Sequence, residues 1–66
     1  MDRKRILEID IAAKKACIED LLVAIEFYEQ EKMYHMAAEC TWRIKKAEHA
    51  IKYMEGLINN ECNRSS

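Results

Sequence analysis

Six side chains near the middle of the sequence are of the types that can do chemistry together: Glu26, Glu29, Glu31, His35, Glu39 and His49. Carboxylates and imidazoles projecting from helices form the di-metal sites of helical bundles, where the pairing is Glu-x-x-His, three residues apart. That pairing is absent here. In "HMAAEC" His35 precedes Glu39 by four, the spacing of an ordinary pair on a helix surface. His49 reads instead as a polar interface residue beside Trp42 and Tyr53. Cys17, Cys40 and Cys62 are odd in number and widely spaced, with no CxxC pair, so a disulfide framework is not expected and a reducing compartment is. Cys17 and Cys40 read as small buried hydrophobes, and Cys62, in the polar tail, as the reactive thiol. A Cys-His nucleophile needs an orienting group and an oxyanion site, for which so small a chain offers no pocket. Glycine-rich phosphate loops, HExxH and zinc signatures are missing as well. The reading is a protein that is not an enzyme and that uses no cofactor and no metal.

Charge narrows the classes further. Eleven basic and twelve acidic residues give a formal charge of -1, with the signs mixed along the chain apart from the opening Arg3 to Arg5. Arg43, Lys45, Lys46 and Lys52 are interleaved with aromatic residues and offset by Glu48 and Glu55, so no continuous nucleic-acid footprint is expected. No apolar run approaches the roughly 20 residues that span a bilayer, and "MDRKRILEID" has charges where a signal peptide's apolar region belongs. These features point to a cytoplasmic protein with no membrane association.

Whatever the side chains do, helices must position them. From Leu7, steps of four and three pick out Ile11, Lys14, Ile18, Leu21, Ile25 and Tyr28, an apolar stripe with Lys14 its one polar member, and Leu22 is expected to widen it. Asp2 is placed to cap this helix. A second stripe runs without exception through Met33, Ala37, Cys40, Ile44, Ala47, Ile51, Met54 and Ile58. Gly56 is tolerated near its end, where Asn59 or Asn60 is the expected C-cap. Between the stripes "AIEFYEQEKMYHMAAE" contains no Gly, Pro, Ser, Thr, Asn or Asp, and its residues favour one continuous helix. Register argues the other way: continued past Tyr28, the first stripe lands on Lys32, His35, Glu39, Trp42, Lys46 and His49, one position off the second. A turn around Gln30 to Lys32 lets both stripes meet. The expected fold is therefore all-α, an antiparallel two-helix hairpin over residues 1–60, with helices near 3–29 and 33–59 and a disordered tail over 61–66. A single long kinked or coiled helix is the alternative.

The opposite faces carry the function. Ile9, Ala16, Val23 and Phe27 lie across the first helix from its stripe, with Ile6, Ala12, Ala13 and Ala24 towards the edges; Trp42 and Tyr53, flanked by Ala38 and His49, lie across the second. A two-helix hairpin covers one face of each helix, and a chain of 66 residues buries too little surface to be secure alone. These eight residues, Ile9, Ala16, Val23, Phe27, Ala38, Trp42, His49 and Tyr53, are the expected protein interface, whether the occupant is a partner protein or a second copy in a four-helix bundle.

Two resemblances bear on this. "FYEQEKMYHMAAEC" resembles the helix-turn-helix centre of a tetratricopeptide repeat, an aromatic pair followed by a polar turn with Tyr34 and Ala37 leading a second helix, although the turn glycine is Glu31 or Lys32 here and one unit alone makes no array. It implies a hairpin packed tightly at its turn. The whole chain, with Trp42 followed by "KAEHAI", resembles the very small two-helix co-chaperones of bacterial type III secretion. That likeness implies a repeat-containing chaperone as partner and an export substrate, the needle subunit, held soluble between them. Small phage or bacterial regulators that act by occluding a partner are the rival within the binding class.

Overall fold

Asp2 begins the first helix by accepting a hydrogen bond at Oδ1 from the Lys4 backbone N–H at 3.2 Å, while its own carbonyl receives the Ile6 N–H at 3.1 Å. The first of these satisfies an orphan N–H of the first turn, and the second is the opening bond of the helical ladder. The computed structural model describes residues 2–64 and the side chains of residues 2–60. The chain folds as α1 (Arg3–Gln30) and α2 (Tyr34–Arg64), packed side by side as a hairpin, with no strand among the described residues.

The turn falls at Glu31, Lys32 and Met33, and its hydrogen bonds explain how a helix stops without glycine or proline. Met33 N–H donates to the Tyr28 carbonyl at 2.7 Å and Lys32 N–H to the Glu29 carbonyl at 3.0 Å. This crossed pair is the Schellman ending, which needs a left-handed residue at its C′ position. Lys32 occupies it, at φ 60. A side chain bearing a Cβ is held there in a conformation that glycine adopts freely, so the turn is enforced by the packing of the helices it joins and not by local preference.

Burial follows the two inner stripes. Ile11 on α1, and Ala37, Cys40, Ile44, Ile51 and Met54 on α2, are buried. Leu7, Lys14, Ile18, Leu21, Ile25 and Tyr28 on α1 and Ala47 and Ile58 on α2 are half-buried along the same lines. Ile11, Ile51 and Met54 form the centre of the core, with Leu7, Ile18, Ala50 and Ile58 packed against it. Lys14 keeps its place in the seam by laying its stem along it and carrying the ammonium out to Asp10 at 3.0 Å.

Several expectations are corrected. Leu22 is 54% exposed, because one residue beyond Leu21 it is rotated about 100° away from α2. Ala24, expected towards the outer edge, is half-buried on the inner side. Met33 lies in the turn and is largely exposed, so the second seam starts at Ala37. Cys17 is exposed and Cys40 buried. Neither Asn59 nor Asn60 ends α2, which continues through Gly56 to Arg64; of the expected tail, residues 65 and 66 lie outside the described residues, as does the side chain of Cys62.

The hairpin is long and thin, 52 × 17 × 12 Å, with a radius of gyration of 15.4 Å. A compact chain of this length has a radius near 11 Å. Among the described residues no large side chain is fully buried, so the core is a single seam open to solvent along both flanks.

Candidate protein interface

The inner seams fix where the outer residues go. With about 100° between successive residues, whatever lies opposite the α1 seam faces away from α2, and the converse holds for α2. Ile9 is 52% exposed, Val23 68% and Phe27 54% on the back of α1; Trp42 is 60% and Tyr53 70% exposed on the back of α2. Ala16, Ala38 and His49 are exposed too. All eight residues singled out from the sequence are thus at the surface, but they form two separate patches. Ile9, Ala16, Val23 and Phe27 line one long edge of the hairpin; Ala38, Trp42, His49 and Tyr53 line the other.

The two edges differ in character. The α1 edge is aliphatic in its middle and ends at Phe27, whose ring meets that of Tyr28 edge-on, centroids 5.7 Å apart and planes at 64°. Because Tyr28 belongs to the inner seam, this contact ties the end of the outer edge to the core. The α2 edge is aromatic and basic. Lys46 holds its ammonium 4.5 Å from the centre of the Trp42 ring, a cation–π contact worth about 0.5–1 kcal/mol at an exposed site. It fixes the indole without covering it. Arg43 is drawn aside by Glu39, at 3.4 Å. Thr41 Oγ1 donates to the Ala37 carbonyl at 3.0 Å.

Sequence reasoning missed one further feature. Lys15 and Ile18 of α1 and Lys45, Glu48, His49, Ile51, Lys52 and Glu55 of α2 line a groove of about 570 Å³ along one flank of the hairpin. Its cationic groups come from both helices, so only the pairing of the helices assembles it. Among the described residues no group of three or more His, Cys, Asp or Glu side chains is placed to hold a metal ion, and no helix is long and apolar enough to cross a membrane. Comparison with protein-family models, with curated proteins and with solved structures finds no match to this chain.

Proposed function

We propose that the hairpin is a protein-binding module of the co-chaperone kind, which acts by burying its outer edges against helices of another protein. One observation carries this reading: Ile9, Val23, Phe27, Trp42 and Tyr53 are each more than half exposed on a chain whose inner seams are already matched to each other. Exposed aromatic and aliphatic groups in register along a helix are what a helical partner covers. The resemblance to two-helix co-chaperones makes a repeat-containing chaperone, itself built of helix pairs, the partner proposed for the Trp42 and Tyr53 edge, and type III secretion the setting. Self-association is the second reading, favoured by the charge pattern of α1 described below.

Trp42→Ala and Ile44→Ala separate binding from folding. Trp42→Ala should leave the helicity of the isolated chain close to wild type and weaken its assembly with a repeat-containing chaperone added as partner. Ile44→Ala should lose helicity first, since truncating a buried Ile costs about 2–5 kcal/mol. Circular dichroism and sedimentation on the two variants read these outcomes; equal loss of helicity and assembly in Trp42→Ala would place the indole in the fold and not in an interface.

A further inference from the structure

The outer edge of α1 has a periodicity of its own. From Ile6 to Phe27, alternating steps of three and four fall on Ile9, Ala13, Ala16, Asp20 and Val23, and every one of these residues is exposed. Steps of three and four average 3.5 residues, the repeat of a coiled-coil seam, with one polar residue, Asp20, among the apolar ones. The positions beside it carry charge, at Arg5, Asp10, Glu19 and Glu26. This second seam lies about 150° around α1 from the seam that meets α2, so it calls for a helix on the far side.

The charges of α1 say which helix. Its first half contains the cations Arg3, Lys4, Arg5, Lys14 and Lys15 against the anions Glu8 and Asp10, whereas every charged residue from Glu19 to Glu31 is acidic. There is no acidic residue in the first turn and no basic one in the last. That order runs against the helix macrodipole, which favours anions at the N-terminus and cations at the C-terminus by about 0.3–1 kcal/mol per group. A helix that is basic at its start and acidic at its end is complementary to a copy of itself laid antiparallel.

We propose that the outer seam of α1 pairs antiparallel with the same seam of a second copy of this chain. The inference rests on the reading of the outer edges as protein-binding and assigns one of them its partner. Centred between Ala16 and Asp20, the pairing sets large residues against small ones: Val23 against Ala13 of the second copy, and Asp20 against its Ala16. Ile9 meets Phe27. The basic start of each α1 lies beside the acidic end of the other. A parallel pair would stack acid on acid and place two Asp20 carboxylates together in a desolvated seam. The contact is isologous and closes at two chains, giving four helices in a row with the α1 pair inside and the Trp42 edges outside, free for a different partner. Area agrees: the chain exposes 5406 Å², against about 4400 Å² for a compact monomer of its mass. A standard interface takes about 800 Å² from each partner.

Sedimentation equilibrium of the full chain, with helicity followed by circular dichroism, tests this. The wild type should be a dimer, and Val23→Asp should weaken it at least about tenfold with helicity retained, since a carboxylate would have to be desolvated in the seam. A short bis-maleimide, with the joined peptides identified by mass spectrometry, reads the orientation. Antiparallel pairing brings Cys17 of both chains to one side near the two-fold axis, so Cys17 should join to Cys17; a parallel pair puts them on opposite sides. A chain that stays monomeric overturns the self-pairing, as does a dimer in which Cys17 is never joined to Cys17, and both leave the binding reading of the Trp42 edge standing. A dimer dissociated by Trp42→Ala and untouched by Val23→Asp overturns the assignment to α1 and supports the outer-edge reading. A dimer indifferent to both substitutions overturns the assignment to α1 as well.

Discussion

Lys32 shows at the residue scale how far a single side chain can depart from local preference. Its φ of 60 is the conformation the Schellman ending demands, and the two crossed hydrogen bonds to Tyr28 and Glu29 hold it there. Relief of that strain is available: Lys32→Gly should raise the free energy of unfolding by about 1 kcal/mol, measured as a higher urea or thermal midpoint, with no change in helix content. The turn's position was legible in the sequence only through register, because Glu, Gln, Lys and Met carry no turn signal and the stripes on either side were one position out of step. Its hydrogen-bonding pattern was not legible, since nothing in Lys32 marks it for the left-handed region. Cys17 teaches the complementary point. One residue before Ile18, it borders the seam yet is exposed, because α2 covers one narrow stripe and, among the described residues, no third helix extends the cover.

At the scale of the element, α1 and α2 owe their length to different things. α1 has an N-cap, a matched inner seam and a C-terminal motif, each supplied by an identifiable residue. α2 continues through Gly56 and past Asn59 and Asn60, which as isolated signals should have stopped it. The pairing with Leu7 and Ile11 at that end accounts for the persistence: Met54 and Ile58 are packed there, so tertiary contact offsets the weaker propensity. Gly56 therefore remains a cost without a function in the hairpin. A Cβ at that position would meet nothing within 4 Å. Gly56→Ala should stabilise α2 by about 1 kcal/mol, seen as slower amide exchange over the last turns of the helix; an unchanged or reduced stability would mean that the open space beside Gly56 is filled by another chain. Both seams were legible from spacing, including the awkward Lys14, since burial of one helix face imposes the same period on any sequence that forms it. The widths of the seams were not legible, and Leu22 and Ala24 exchanged places for that reason.

For the whole molecule the governing fact is that its core is one shared seam. Neither helix can be removed without exposing the other, so the hairpin should unfold as a unit. Ile51→Ala, at the centre of the cluster with Ile11 and Met54, is expected to cost about 2–5 kcal/mol and to abolish amide protection in both helices together. Loss confined to α2 would show that α1 is held by contacts of its own. The sequence by itself determined that there are two helices, where they turn, which stripe of each is inner, and that a surplus of apolar residues remains, because all of these follow from periodicity along the chain. Tertiary structure decided how the surplus is divided. Eight residues that look like one interface in sequence are split between two edges, since packing each inner seam against the other sends the opposite faces outward in opposite directions. It also decided that Lys15 shares a groove with Lys45 and Lys52. Spacing fixes the angle of a residue on its own helix; only the neighbouring helix fixes which side of the molecule that angle becomes.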